Sequence, residues 1–222
     1  MNVVINAAYG SWYPRGQQRL IDSLRSTGYY GEVLTYCNEP INEHFNPRSP
    51  YTIKAATFIE AIKKGYTNIL WLDCSVFALK NIQPMFDLIE KESVYFWRSG
   101  WNLAQSASDS DLAYAGWTRD EAELLYECAS GMVGLNMKDN RVKRLMDIFI
   151  DANKKGVCST SRYHDNQSKD PRFKFARQDQ TALTIAYHKV GFTNEQMFES
   201  GAYSAYFQSD INETVILAMQ GM

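Results

Sequence analysis

The sequence predicts an α/β protein with a mostly parallel, Rossmann-like sheet flanked by helices. Apolar runs of strand length alternate along the chain with segments whose apolar residues recur at helical spacing. The run at residues 69–72 is apolar without interruption, which is typical of a strand covered by helices on both faces of a parallel sheet. No repeat, low-complexity block or linker divides the 222 residues, so we expect a single domain spanning residues 1–222.

The same patterns place the individual elements. Strands are predicted at NVVINAA, GEVLTYC, NILWL, SVYFW and ASGMVGLNM. Helices are predicted at QQRLIDSLRSTG, YTIKAATFIEAIKKG, QPMFDLIEKE, DNRVKRLMDIFIDANKKG and DQTALTIAYHKVGF. Thr118 and Glu121 match a capping box and predict a further short helix. Residues 157–178 are predicted to form a long basic loop, and the tail after residue 192 has no clear pattern.

Composition narrows the classes of function. The formal net charge of -2 argues against strong non-specific binding to nucleic acid or to an anionic membrane. The four cysteines are scattered without a C-x-x-C pair, which indicates free thiols in a reducing cytoplasm. No apolar run approaches the roughly 18 residues of a membrane span, and the N-terminus lacks the features of a signal peptide. A cytoplasmic location without membrane insertion is therefore expected.

Asp73 is the first candidate for a functional residue, because it directly follows the apolar run. Ligands of open α/β sheets bind beyond the carboxyl ends of the strands. A carboxylate there, with Ser75 two residues later, can accept hydrogen bonds from ribose or sugar hydroxyls or hold a divalent cation that binds a diphosphate. A helix cap or an ion pair with a nearby arginine would explain Asp73 equally well.

The sequence also contains a literal Asp-x-Asp at Asp109 and Asp111. This pair follows no apolar strand, and its neighbours are serine, alanine and glutamine. Acidic residues at the start of a helix satisfy unpaired backbone N–H groups and the helix dipole. We therefore predict that Asp109 and Asp111 begin a helix and hold no metal.

The order of the pieces resembles the GT-A class of nucleotide-sugar glycosyltransferases. A first strand with a Tyr-Gly loop, a helix with Lys54, a strand ending in W-L-D-C-S, a glycine-bearing strand and a late D-Q-T follow one another between residues 3 and 192. In this class the apolar strand ends in an Asp-x-Asp that binds the donor. The chain is most similar to small single-domain members from phage and bacteria, with Ser75 in place of the second acid.

The resemblance implies transfer of a sugar from a nucleoside diphosphate sugar, such as a UDP-sugar, to a hydroxyl acceptor. It makes Asp73 the ligand of a manganese or magnesium ion. The serine departs from the family pattern, because a hydroxyl is a weaker metal ligand than a carboxylate. Two possibilities stay open: Asp73 holds the ion with a distal ligand, or lysine and arginine neutralise the phosphates.

The resemblance also assigns the remaining site residues. Asp179 and Gln180 are the catalytic candidates at the sugar subsite, although an N-cap is the plain explanation of Asp179. The donor would be bound by Tyr9, Gly10, Arg15, Lys54, Asp73, Ser75, Gly131, Met132 and His164.

Individual roles follow from the residue types. Tyr9 would stack on the base or serve as a core aromatic, and Arg15 and Lys54 would contact the phosphates, with a solvated lysine as the alternative. Gly131 would allow a close approach of the sugar or only kink a strand, with Met132 beside the acceptor. His164 would be the distal metal ligand or close over the donor, together with the basic loop at residues 162–177.

Two other functions and several acceptors stay open. A sugar-phosphate nucleotidyltransferase would release pyrophosphate, and a non-catalytic module would bind a nucleotide sugar or glycan without turnover. The acceptor could be a glycan, a protein, a metabolite or a modified DNA base. A DNA acceptor would need a basic stripe, and four residues could supply it: Lys169, Arg172, Lys174 and Arg177.

Overall fold

The computed structural model describes residues 1–47, 49–157 and 168–219. Its strands are β1 (Asn2–Ala8), β2 (Val33–Cys37), β3 (Asn68–Leu72), β4 (Val76–Ala78), β5 (Val94–Asn102), β6 (Tyr126–Asn136), β7 (Ser204–Ala205) and β8 (Leu217–Met219). Its α-helices are α1 (Tyr13–Ser26), α2 (Thr52–Lys63), α3 (Gln83–Glu92), α4 (Leu103–Ser106), α5 (Asp109–Ala115), α6 (Arg119–Glu123), α7 (Asn140–Lys154) and α8 (Asp179–Lys189).

The main sheet has five strands in the order β2-β1-β3-β6-β5. Strands β1, β2 and β3 are parallel, whereas β6 is antiparallel to both of its neighbours, β3 and β5. Strand β5 therefore has the same direction as the first three, and only β6 is reversed. This arrangement confirms the predicted α/β class with a mostly parallel sheet.

Helices cover both faces of this sheet. All five residues of β3 are buried, as the uninterrupted apolar run predicts. Ile69 and Trp71 face a core formed with α2, α7 and α8, whereas Leu70 and Leu72 face a second core formed with α1 and α3. Because alternate residues of a strand point to opposite faces, one strand contributes to both cores.

A second sheet follows directly after the turn that contains Asp73. Strand β4 pairs antiparallel with β8, and β7 pairs parallel with β8. The sequence predicts only an apolar turn at residues 76–78 and no pattern in the tail. Strands of two or three residues are too short for an alternation of apolar and polar residues to be recognised.

The helix starts near Asp109 and Thr118 agree with their sequence signals. The Ser108 side chain accepts from the backbone N–H of Asp111 at 3.2 Å, and the Ser108 N–H donates to Asp111 Oδ2 at 2.9 Å. Thr118 and Glu121 form the same reciprocal capping box. Asp109 and Asp111 therefore belong to a helix start, as predicted.

Cysteines and helix lengths add two smaller findings. Cys37, Cys74 and Cys128 are free thiols, and Cys158 lies outside the described residues. No helix in the described part of the chain combines the length and the apolar character needed to cross a membrane.

Candidate functional site

A network of buried polar groups fixes the turn after β3. The Asp73 N–H donates to the Gly131 carbonyl at 2.8 Å, which joins the turn to β6. On the other side, the Asn6 amide donates to the Leu72 carbonyl at 2.6 Å, and Gln17 Nε2 donates to Asn6 Oδ1 at 2.7 Å. Because both amides are buried, these bonds leave Asp73 little freedom to move.

Helix α1 contacts the same turn from outside. A Cβ atom on Gly16 would lie 2.3 Å from the Cys74 carbonyl oxygen, so only glycine permits this close approach. One turn further along the helix, the Arg19 guanidinium donates to the Ser75 carbonyl at 2.9 Å. Gly16 and Arg19 therefore hold the turn, a role that the sequence patterns did not reveal.

Asp73 and Asp179 meet at Lys54. The Lys54 Nζ atom lies 2.6 Å from Asp179 Oδ2 and 3.7 Å from Asp73 Oδ1, and it donates to the Ser130 carbonyl at 2.6 Å. Trp71 Nε1 donates to the same Asp73 oxygen at 2.5 Å. Two acids that are far apart in the sequence thus share one ammonium group at the edge of the sheet.

Burial differs among the three side chains of this ion cluster, Lys54, Asp73 and Asp179. The exposed fraction is 4% for Lys54 and 12% for Asp179, but 36% for Asp73. Asp73 is therefore the member of the cluster that a ligand can reach most readily. Lys54 is a buried counter-ion of both acids, which excludes a solvated lysine and leaves its predicted phosphate contact without support in the described geometry.

The local environment shifts the pKa values of two cluster members. Burial lowers the pKa of Lys54, but the carboxylates of Asp179 and Asp73 outweigh it, so the net shift is upward. For Asp73, burial and the nearby Asp179 raise the pKa, while Lys54 and Trp71 oppose the shift. Two carboxylates with one ammonium leave the fully ionised cluster with a net negative charge.

A second buried acid lies next to this cluster. Glu127 Oε2 accepts from Gln180 Nε2 and from Ser99 Oγ, both at 2.7 Å. Gln180 Oε1 in turn accepts from the Ser130 N–H at 3.1 Å, and the Ser130 carbonyl is the acceptor of Lys54. Glu127 is thus connected to the ion cluster, and burial raises its pKa. The sequence patterns did not reveal it, because Glu127 lies before the predicted strand ASGMVGLNM, whereas β6 begins at Tyr126.

A cleft of about 770 Å³ opens beside Gln180. Its walls include Arg177 and Trp101 on one side and Arg98, Tyr126 and aromatic residues of the tail on the other. This volume lies within the range of small-molecule sites, roughly 300–1,000 Å³. Asp179 and Gln180 begin α8 between the ion cluster and this cleft.

Tyr9 and Gly10 lie at the same sheet edge as Asp73, because β1 and β3 are parallel with Ile5 opposite Trp71. The Tyr9 hydroxyl donates to the Glu39 carbonyl, and one side of its ring contacts Phe45 at a centroid distance of 4.6 Å. Tyr9 is half-buried and outside the two main cores, so it is not a plain core aromatic.

Arg15 and Met132 do not join the ion cluster. Arg15 is exposed and lines a shallow depression on α1 with Gln18 and Asp22, so its predicted phosphate contact has no support in the described geometry. Met132 is fully buried in the core under α1 and α3, which corrects its predicted place beside the acceptor. A residue that packs among core side chains cannot touch a ligand without local unfolding.

The structure describes two of the remaining three predicted donor-binding residues, which are Ser75, Gly131 and His164. Ser75 is half-buried, and its carbonyl accepts from Arg19. Gly131 faces the cluster, since a Cβ there would lie 3.5 Å from Asp73 Oδ2 and 2.9 Å from Met219 Cε. His164 lies outside the described residues, as do residues 162–167 of the closing loop predicted at residues 162–177.

Acids neutralise one of the four residues of the basic stripe predicted for a DNA acceptor. Arg172 forms ion pairs of 2.8 Å each with Asp120, Glu123 and Asp170. Lys174 donates to the Pro171 carbonyl at 3.0 Å. Because Arg172 is surrounded by carboxylates, the segment does not present the continuous positive charge that phosphate backbones require.

The described residues were also tested for their fit to a divalent cation. Within residues 1–47, 49–157 and 168–219, no three side chains of His, Cys, Asp or Glu are grouped as metal ligands. The two acids of the cluster already share the Lys54 ammonium, whose positive charge would repel a cation. The described donor set therefore does not fit manganese or magnesium, and no chemical step below depends on a metal.

Comparison with known proteins supports the fold. No protein-family model and no curated protein sequence matches the chain. Among solved structures it is similar to a glycosyltransferase involved in the glycosylation of the major capsid of PBCV-1, with 11% identity, a TM-score of 0.57 and coverage of 98% of this chain and 92% of that one.

Two further structures are similar at the same level. An active-site mutant of LgtC has 11% identity and a TM-score of 0.51, with 99% of this chain and 86% of that one covered. Mouse xyloside xylosyltransferase 1 has 11% identity and a TM-score of 0.52, with 99% and 96% covered. These likenesses establish the GT-A fold of the glycosyltransferases for this chain.

Proposed function

We propose that this protein is a glycosyltransferase that moves a sugar from a nucleoside diphosphate sugar to a hydroxyl group. The observation that supports the proposal most strongly is the ion cluster. Burying charges costs several kcal/mol per ion, so charged clusters at the carboxyl ends of strands are rarely there for stability alone. The cluster lies at the sheet edge where α/β folds bind their ligands, next to a cleft of suitable size.

The residues of the cluster have separate roles in this proposal. Asp73, the more exposed of the two acids in the cluster, accepts hydrogen bonds from donor hydroxyls. Tyr9 and Gly10 lie at the same sheet edge, beside the nucleoside. Asp179, held by Lys54, faces the anomeric carbon. The net negative charge of the cluster stabilises the positive charge that develops on this carbon in the transition state.

The transfer step can be written with its atoms balanced. The acceptor oxygen forms a bond to the anomeric carbon, and the bond from that carbon to the diphosphate oxygen breaks with its electrons on the diphosphate. The acceptor proton leaves with the released nucleoside diphosphate. Asp179 is held by the Lys54 ammonium, so it positions the sugar and stabilises charge and does not need to take this proton.

The test is a panel of nucleotide sugars, with and without manganese, in which the release of nucleoside diphosphate is measured. We expect Asp73→Asn, which keeps the shape but removes the charge, to lower turnover by about 100-fold, the usual loss of a charge-stabilising contact. The matched control is Asp109→Asn, because Asp109 begins the literal Asp-x-Asp but lies at a helix start. Its turnover should equal that of the wild type.

Three outcomes contradict the proposal. Turnover of Asp73→Asn within about threefold of the wild type would leave less than about 1 kcal/mol of transition-state stabilisation for the charge. Release of pyrophosphate would identify a nucleotidyltransferase. Binding of nucleotide sugars without any release, in the presence of varied hydroxyl acceptors, would indicate a non-catalytic module.

A further inference from the structure

Two arginines line the cleft, and their surroundings differ. Arg98 forms an ion pair with Glu199 at 2.6 Å, donates to the Asn194 carbonyl at 2.9 Å and stacks on Tyr126 at 4.6 Å from its ring centroid. The positive charge of Arg98 is therefore paired with the carboxylate of Glu199, which also lines the cleft. Arg177 stacks on Phe175 at 4.8 Å, but among the described residues no carboxylate lies within ion-pair distance of it.

Arg177 is firmly placed in spite of lacking an acid partner. Phe175, on which it stacks, contacts the Trp101 ring edge-to-face at 4.9 Å, and the backbone N–H of Lys174 donates to the Gln105 carbonyl at 2.9 Å. The Arg177 carbonyl accepts from the Gln180 N–H at 2.9 Å. A guanidinium held in this way loses little conformational entropy when it binds an anion.

The backbone next to Arg177 has an uncommon conformation. Gln178 has φ 46° and ψ -116°, in the region that favours glycine. Such conformations cost of order 1–3 kcal/mol and persist where the surrounding structure holds them, often at binding sites. Here the conformation of Gln178 lets Arg177 line the cleft while Asp179, two residues later, contacts Lys54.

Glu127 is a buried acid whose charge is felt at Arg177, but no ion pair joins the two residues among the described contacts. Its Oε2 atom accepts from Ser99 and Gln180. Among the described residues, the cleft thus has one guanidinium in an ion pair, that of Arg98, and one without, that of Arg177. Exposed rings of Trp101, Tyr126 and Tyr206 offer apolar faces between them.

We propose that this cleft selects an acceptor sugar that has an anionic group, a carboxylate or a phosphate, and that Arg177 is the residue that binds this group. The planar guanidinium can donate two parallel hydrogen bonds to either anion. The sugar ring lies against the aromatic faces, and its hydroxyl points towards the ion cluster. The inference that the cleft binds an acceptor rests on the proposed transfer reaction. The binding of an anionic sugar to the cleft can be measured without that reaction.

The experiment is a calorimetric titration with three probes: methyl glucoside, methyl glucuronide and methyl glucoside 6-phosphate. They differ only at C6, so their affinities compare a neutral group, a carboxylate and a phosphate. We expect at least one anionic probe to bind about tenfold more tightly than the neutral one, as a charge-assisted pair provides. The preference should weaken from 50 to 500 mM salt, because the cleft is open to solvent.

Two variants test the role of Arg177. Arg177→Gln should abolish the preference, whereas Arg177→Lys, which keeps the charge, should retain part of it. Arg172→Gln is the matched control outside the cleft, since Arg172 is already paired with three acids, and its preference should equal that of the wild type.

Several results would overturn the inference. Equal affinities for the three probes would do so while leaving the proposed transfer reaction intact. A larger loss of UDP affinity than of glucuronide affinity in Arg177→Gln would assign Arg177 to the donor. A clear anion preference in a protein that turns over no nucleotide sugar would keep the anion site and remove its role as an acceptor site.

Discussion

Asp73 and Asp109 each begin a short motif of three residues, but the two motifs have different places in the fold. Asp109-Ser110-Asp111 is a literal Asp-x-Asp, yet Asp111 belongs to the capping box of a helix and Asp109 pairs with Arg119. Asp73-Cys74-Ser75 lacks the second acid, yet Asp73 lies at the end of a buried strand beside a buried lysine and a second acid. The position of an acid in the fold, and not the spelling of its motif, thus determines what the acid can do.

The largest expected effect is on the ion cluster itself. Lys54→Met should lower the free energy of unfolding by about 3–5 kcal/mol, because it leaves the largely buried carboxylate of Asp179 and the half-buried one of Asp73 without their cation. Chemical denaturation measures the change. Asp109→Asn breaks an ion pair in the other motif, but Asp109 is 63% exposed, so stability should hardly change.

A double variant separates charge from packing at Lys54. If the loss comes from uncompensated charge, Lys54→Met with Asp179→Asn should be more stable than Lys54→Met alone. Equal stability of the single and double variants would instead attribute the loss to packing of the lysine stem against Trp71. In that case the charges of the two motifs would not differ in their contribution to stability.

Glu127 belongs to neither motif and extends the contrast to a buried acid that forms no ion pair with any described residue. Its pKa is raised in the folded protein, so the folded state binds more protons than the unfolded state between the two pKa values. Stability should therefore fall as pH rises from the unfolded pKa of about 4.3 through the folded one, by at most about 1.4 kcal/mol per pH unit.

Glu127→Gln removes this titration and serves as the reference. The free energy of unfolding of the wild type, minus that of Glu127→Gln, should decrease as pH rises through that window. Denaturation at a series of pH values measures it. A constant difference, or one that grows with pH, would mean that the Glu127 pKa is not raised. In that case Glu127 would behave like the exposed acids of the helix starts.

The smallest effect is expected at the cap of the literal motif. Ser108→Ala removes the acceptor of the Asp111 N–H and should cost about 1 kcal/mol of stability. Nucleoside diphosphate release should be unaffected, since Ser108 contacts neither the cleft nor the ion cluster in the described structure. A drop in turnover at unchanged stability would give the Asp109 region a functional role. The two acidic motifs would then no longer differ in function.

Much of the fold follows from local patterns in the sequence. The uninterrupted run before Asp73 indicated a strand buried on both faces, the capping box at Thr118 marked one helix start, and Asp109 and Asp111 marked another. The reversed direction of β6 was not predictable, because burial alone does not reveal which way a strand points. The strands of the small sheet were too short to give a pattern.

The candidate site was partly predictable for a different reason. Asp73 and Asp179 each follow a recognisable signal, but a buried Lys54 is rare, so the sequence favoured a solvated side chain. Arg177 stood out in the sequence only as one of four basic residues. Its lack of an acid partner among the described residues depends on the tertiary arrangement, which no local spacing encodes.

The small sheet also determines when the turn after β3 is completed. Strand β4 begins directly after Ser75, and its partner in the small sheet, β8, contains residues 217–219. On the ribosome, β8 therefore emerges after Lys54, Trp71 and Gly131, which contact Asp73. A nascent chain can assemble the main sheet first, and β4 gains its β8 partner only when that strand has left the ribosome.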